Sequence, residues 1–121
     1  MKTCLIVDDS KIVRKVIRGM LEPLGFSISE AEDGVIALEH CKKEKPALIM
    51  LDWHMPNMDG LEFIKHLRAL PDGNVPVVIF CTTETEFSNI QEAIISGANE
   101  YVMKPFDEEI IKGKLAQVGI L

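Results

Sequence analysis

A chain of 121 residues, 47% hydrophobic, is long enough for one domain with its own core and too apolar for disorder. Nineteen acidic residues against thirteen basic ones leave a net charge of −6, and the three arginines, Arg14, Arg18 and Arg68, form no basic run. That balance excludes duplex binding, which needs Lys and Arg clustered against phosphates.

The three cysteines, Cys4, Cys41 and Cys81, lie far apart inside apolar stretches. They read as small buried hydrophobes in a reducing compartment, and no pair has metal-ligand spacing. The N-terminus reaches Asp8 after an apolar run too short for a signal peptide, and nowhere is a run long enough to span a bilayer. The expectation is a soluble, cytoplasmic protein without membrane insertion.

Along the chain, strand-length apolar runs alternate with segments of helical period. Cys4-Leu5-Ile6-Val7 is the first strand and ends at charge. Ile12, Val13, Val16, Ile17, Met20, Leu21 and Leu24 recur at helical spacing, with Ser10 as N-cap and Pro23 and Gly25 marking the end. Residues 26–31 alternate as a half-buried edge strand does. Residues 34–43 form a second helix with Val35, Leu38 and Cys41 on one side, and residues 47–51 are a strand buried on both faces.

A loop holding Pro56 and Gly60 leads to a third helix from about Leu61, with Ile64 and Leu67 inward, stopping near Pro71. Pro76 opens a second fully buried strand, Val77 to Cys81. A fourth helix carries Phe87, Ile90 and Ile94 and closes at Gly97. Tyr101-Val102-Met103 is a short last strand, and a fifth helix follows Asp107 through Ile110, Ile111 and Leu115. Five strands alternating with five helices imply a parallel sheet covered on both faces, with ligands bound beyond the carboxyl ends of the strands. With no repeat or linker, residues 1–121 read as a single domain without an output domain.

The strands end in residues that stability alone does not call for: Asp8-Asp9 after the first, Asp52 after the third, Thr82-Thr83 after the fourth and Lys104 after the fifth. Alone, each has a plain reading, as a helix-start charge, a cap or a solvated lysine. Together they gather three carboxylates, an ammonium and a hydroxyl. Crowded carboxylates call for a cation, and Mg²⁺, served by carboxylates, a carbonyl and waters, fits this set. A carboxylate beside Mg²⁺ and Lys is also a nucleophile of the kind that forms aspartyl phosphates, so the parts for phosphoryl transfer to Asp52 are present.

VDDS at 7–10, LDWHMPNMDG at 51–60, Thr82-Thr83 and YVMKPF at 101–106, with Lys104 following Thr82 by 22 residues, resemble the receiver domain of two-component response regulators. The match runs from Thr3 to the last helix, and DWHMPNMDG is especially similar to the stand-alone, chemotaxis-type (CheY-like) members. The resemblance implies a flavodoxin-like, doubly wound α/β fold, (βα)₅, with strand order 2-1-3-4-5. It implies a binding switch whose Asp52 accepts a phosphoryl group from a histidine kinase or phosphotransfer protein. Mg²⁺ would be held by Asp9 directly, by Asp8 through water, by Asp52 and by the backbone carbonyl of His54. Lys104 would pair with phosphoryl oxygens, Thr82 would move toward the phosphate and Tyr101 would change rotamer. That relay would remodel the face of the fourth helix, fifth strand and fifth helix, where a downstream protein target docks.

The resemblance also implies a cis peptide between Lys104 and Pro105; a monomer is the expectation, with dimerisation through the output face left open. Two features depart from or vary within the family pattern. Thr83 stands where a small Ala or Gly is usual, which implies narrower access to the phosphate. His54 and Glu84 occupy the positions that tune hydrolysis of the aspartyl phosphate, where an imidazole and a carboxylate either orient water or exclude it. Trp53 reads as a partly exposed packing residue able to report metal or phosphate by fluorescence.

Two other functions compete. A Mg²⁺-dependent phosphatase or phosphotransferase acting through Asp52 on a small phosphate ester would need a cap or substrate pocket. A flavin mononucleotide carrier of the same topology would need a Ser/Thr/Gly-rich phosphate loop where Asp8 and Asp9 stand.

Overall fold

A computed structural model of the chain describes residues 2–83 and 87–121. Five strands, β1 (Lys2–Val7), β2 (Phe26–Ala31), β3 (Leu48–Asp52), β4 (Val77–Thr82) and β5 (Glu100–Met103), pair in parallel in the order β2-β1-β3-β4-β5. The helices between and after them are α1 (Lys11–Leu21), α2 (Gly34–Lys43), α3 (Gly60–Ala69), α4 (Ile90–Ser96) and α5 (Glu108–Gln117). This is the flavodoxin-like, doubly wound arrangement expected. Strand order reverses between β1 and β3, which puts a crevice at their carboxyl ends.

Alternation along the strands divides the interior in two, because successive side chains leave opposite faces of a sheet. Leu5, Val7, Ile49, Leu51, Val78 and Phe80 pack under α2, α3 and α4, against Phe63, Ile64, Leu67 and Ala93. Cys4, Ile6, Leu48, Met50, Ile79 and Cys81 point the other way, against Ile17 and Leu21 of α1 and Ile111 and Leu115 of α5. All three cysteines are buried and unpaired, as read. Burial pushes the Cys41 thiol up to about 11 and the Cys81 thiol up to about 12, so neither is a ready thiolate.

Four helix starts are built from one device, the fourth being α5, where Asp107 accepts from the Ile110 N–H. At the other three, Ser10, Asp33 and Asp59 each accept a hydrogen bond from the backbone N–H three residues on, at Val13, Ile36 and Glu62. The α2 boundaries coincide with those read from the pattern. Helix α1 is shorter than its apolar repeat suggests: it stops at Leu21, and Glu22–Leu24 is a single 3₁₀ turn around Pro23. Likewise Phe87–Asn89 form a 3₁₀ turn before α4.

Several apolar residues of the helical repeats lie outside the core. Ile12 is 76% exposed, and Val16, Val35, Ile94 and Ile110 are exposed too. On α1 the reason is geometric: an apolar stripe broader than the contact with the sheet leaves its outer edge uncovered. Ile12 and Val16 there line a groove of about 260 Å³ with Val13, Met20, Pro105 and Phe106. Among the described residues no helix is long and apolar enough to cross a membrane.

Candidate functional site

The site is assembled where β1, β3, β4 and β5 end. Asp52 is the last residue of β3, in register with Cys81, so Thr82 extends one residue further on β4. Thr82 in turn pairs with Met103, which leaves Lys104 just past the end of β5. Its backbone N–H donates to the Thr82 carbonyl, 2.6 Å away, and the peptide bond from Lys104 to Pro105 is cis. Parallel register thus carries four separate strand ends to one place.

Asp8 and Asp52 are buried, 2% and 8% exposed, and Asp9 is exposed beside them. One carboxylate oxygen from each of the three lies within 4.8 Å of the other two. Lys104 enters from the side: its Nζ donates to Asp52 Oδ1 at 2.9 Å and to Asp8 Oδ2 at 3.3 Å. Asp8 also accepts from the Ser10 N–H at 2.8 Å, and Asp52 from the Trp53 N–H at 2.9 Å. One ammonium therefore bonds two of three clustered carboxylates, and the balance of charge at the site is negative.

Burial pushes the Asp52 carboxyl above its ordinary value, and the charge of Asp8 adds to this, while the hydrogen bond and charge of Lys104 pull it back. For Lys104, burial works to lower the ammonium's pKa, but bonding to Asp52 and the charges of Asp52 and Asp8 outweigh it and leave the group raised. Lys104 is thus a fixed positive charge at neutral pH. On β4, the Thr82 side chain is 0% exposed and its hydroxyl has no hydrogen-bond partner among the described residues. A buried hydroxyl left so is costly, and it is usually accounted for by a ligand or water it meets in use.

The remaining expected residues fall around this centre. Exposed His54 follows Trp53 on the β3–α3 loop, and exposed Thr83 follows Thr82. Tyr101 stands half-buried on β5 as the register partner of Phe80, with Lys114 Nζ 4.4 Å from its ring centroid. Glu84 lies outside the described residues. Trp53 is a packing residue as expected but more buried than partly exposed: it is 7% exposed and lies against Phe80 with centroids 4.8 Å apart and the rings tilted by 42°. It remains one residue from Asp52, within range to sense charge there.

Three residues that the sequence reading passed over also hold the site. Arg14, on α1, donates from Nη1 to the Asp8 carbonyl at 2.6 Å and from Nε to Glu30 at 2.8 Å. Asn57 donates to Asp33 at 2.8 Å across 24 residues of sequence. For Asp33 a signal existed, since an Asp just ahead of a helical segment marks a cap. For Arg14 and Asn57 there was none. Gly60 sits so close that a Cβ there would overlap the Asp52 carbonyl oxygen, which lets α3 start directly against the end of β3.

All donors facing the acidic cluster are hard oxygens in excess of local positive charge. That set fits a hard divalent cation such as Mg²⁺ and suits neither Zn²⁺ nor a soft metal. No histidine or cysteine completes a metal-binding group among the described residues.

Comparison with known proteins agrees with this chemistry. A family model described as "Response regulator receiver domain" matches residues 4–116. The chemotaxis protein CheY-3 of Vibrio cholerae is 36% identical over 115 residues, 94% of this chain and 88% of that one. The solved structure of V. cholerae CheY4, crystallized at low pH, superposes with a TM-score of 0.89 at 33% identity over 98% of both chains. The receiver domain of the Pseudomonas aeruginosa sensor kinase PA1611, solved with magnesium coordinated in its active-site cleft, superposes at 0.88 with 25% identity over 98% of both chains.

Proposed function

The chain belongs to the response regulator receiver domain family and is homologous to chemotaxis regulators of the CheY type, acting in signal transduction by phosphorylation; on that premise we propose that Asp52 is the residue phosphorylated. The observation that carries this reading is the Lys104 ammonium bonded to both Asp52 and Asp8, with Asp9 completing the acidic cluster around them. Receiver domains bind Mg²⁺ in such a pocket, and here Asp8, Asp9, Asp52 and the His54 carbonyl are the residues that would hold it. When bound, the metal neutralises charge on the transferring phosphoryl oxygens.

In the transfer step an Asp52 oxygen attacks the phosphorus of a phosphohistidine on a histidine kinase or phosphotransfer protein. The new P–O bond forms as the P–N bond breaks, and its electron pair returns to the donor's imidazole nitrogen. Lys104 holds Asp52 in place beforehand and can follow the developing charge on a phosphoryl oxygen without new solvent ordering. Partnerless Thr82 offers a donor that the ground state leaves unused. A hydrogen bond formed there only with phosphate present is a differential contact, which is what shifting a two-state equilibrium requires. Tyr101, between Lys114 of α5 and the end of β4, is the group through which that shift would reach the α4–β5–α5 face and a downstream protein.

The test is labelling by acetyl phosphate with Mg²⁺. Wild type takes one phosphoryl group and Asp52→Asn none. Equal labelling of the two proteins overturns the assignment.

A further inference from the structure

The acidic residues lie at two strand ends, Asp8 and Asp9 just past β1 and Asp52 closing β3, and the loops that follow these strands lean on the same corner between β2 and α2. The Asp8 N–H donates to the Ala31 carbonyl at 3.1 Å, at the end of β2. Two residues on, Asp33 caps α2 through one carboxylate oxygen, which accepts from Ile36 N–H at 2.9 Å. Its other oxygen accepts from Asn57 Nδ2 at 2.8 Å. Next to it the Gly34 N–H donates to the Met58 carbonyl at 3.2 Å, and a Cβ at Gly34 would lie 2.6 Å from that oxygen. The middle of the β3–α3 loop is therefore bound to α2 by one side-chain and one backbone bond.

This attachment is built into the fold. Asp33 is only 5% exposed although charged, so loss of its partner leaves a buried carboxylate oxygen unsatisfied. Asn57 holds φ at +68°, in the left-handed region that Asn tolerates better than most residues, which turns its amide toward Asp33. The segment so pinned contains His54, between Asp52 and Asn57. Its other end is closed by the Gly60 N–H donating to the Trp53 carbonyl at 2.8 Å.

We propose that the Asp33–Asn57 hydrogen bond is a positioning latch, fixing the β3–α3 loop so that its backbone, at His54, and the carboxylates of the β1–α1 loop meet one divalent cation. This rests on the proposed Mg²⁺ site. Asp33 and Asn57 touch neither metal nor phosphate: they act through the loop, as outer partners that orient ligands do.

Mg²⁺ titration followed by Trp53 emission tests it, with the urea midpoint of each metal-free protein alongside. Asn57→Gly keeps the left-handed backbone accessible and removes the bond, and weakens Mg²⁺ about tenfold while unfolding stays cooperative. Asp33→Asn keeps the cap through its side-chain oxygen and still bonds Asn57 once the Asn57 amide turns its oxygen to the new donor, so it binds Mg²⁺ close to wild type. Asn57→Asp sets carboxylate against carboxylate and also weakens binding, although it adds negative charge near the site. The exchange Asp33→Asn with Asn57→Asp restores a hydrogen bond with donor and acceptor reversed, and returns Mg²⁺ affinity to within about threefold of wild type. A plain stability role does not give that pattern, since Mg²⁺ affinity would not follow the bond. Asn57→Gly binding Mg²⁺ as wild type does overturns the latch, as does failure of the exchange to rescue. A wild type indifferent to Mg²⁺ overturns the site reading and the latch with it.

Discussion

One residue separates the most settled part of this molecule from the least settled. Val7, Leu51 and Cys81 are wholly buried among apolar neighbours, and their backbone groups are spent on parallel ladders. The next residues along, Asp8, Asp52 and Thr82, are as hidden from water, yet two carry charge against a single ammonium and the third has a hydroxyl without a partner. The interior lowers the free energy of the fold, and the rim stores polar groups in the arrangement that a cation and a phosphoryl group complete. Position along the strand decides which regime a side chain falls in, because Asp52 and Thr82 close their strands and Asp8 follows its own, at the sheet edge where the polar crevice opens.

The largest expected effect comes from removing the cation the rim does own. Lys104→Ala takes away the donor preorganised on Asp52 and slows phosphorylation by acetyl phosphate about 100-fold or more, the usual scale for a lost transition-state donor. Mg²⁺ binds at least as tightly, since a competing positive charge is gone. Rapid-quench labelling and Trp53 titration separate the two quantities. Loss of Mg²⁺ affinity with an unchanged transfer rate would make Lys104 a structural strut and erase the distinction between rim and interior.

A smaller change converts a rim residue into an interior one. Thr82→Val keeps the side-chain shape and deletes the hydroxyl that has no partner. The metal-free protein is stabilised by about 1 kcal/mol, read from the urea midpoint, because a buried donor is no longer unsatisfied. Phosphorylation falls, because the contact reserved for phosphate is missing. A destabilised variant would show that the hydroxyl is already satisfied in solution and that β4 ends as quietly as it runs.

Legibility follows the same division. The strands were readable because burial on both faces leaves continuous apolar runs, and the acids because strand ends in a parallel sheet converge whatever the helices do. Helix faces were harder. The repeat through Ile12 and Val16 says that a stripe is apolar but not how much of it the sheet covers, and Ile12 lies in the open. Trp53 reads from its place beside Asp52 as a partly exposed packing residue; it does pack, but its ring turns inward onto Phe80 and is buried. The bond from Asn57 to Asp33 joins two loops whose approach depends on α2, α3 and the strand order together, so no local pattern announces it. Arg14 looked like any polar residue of an amphipathic helix, and only the structure carries its guanidinium to the Asp8 carbonyl.

The subtlest difference between the two regions is one of sign in acid. Asp33, bonded to the Ile36 N–H and to Asn57, is held below the ordinary carboxylate value, so it contributes stability above that value and loses it as pH falls through its lowered one. Asp52 is the opposite case: burial raises it, so between its ordinary value of 3.8 and its raised one the folded state holds more protons than the unfolded chain. Metal-free stability therefore falls as pH rises through that window. Other carboxylates titrate nearby, Glu30 among them, lowered on balance by Arg14 and Arg18 against the cost of its burial. The quantity to measure is thus the difference between wild type and Asp52→Asn, from urea midpoints at a series of pH values. Without Mg²⁺ the variant gains on wild type as pH rises through the window and keeps its lead above it. With saturating Mg²⁺ the lead shrinks or reverses, since the cation favours the ionised Asp52 that the variant lacks. A difference independent of pH would mean that Lys104 alone already neutralises Asp52, and the rim would then hold no unmet charge for a metal to answer.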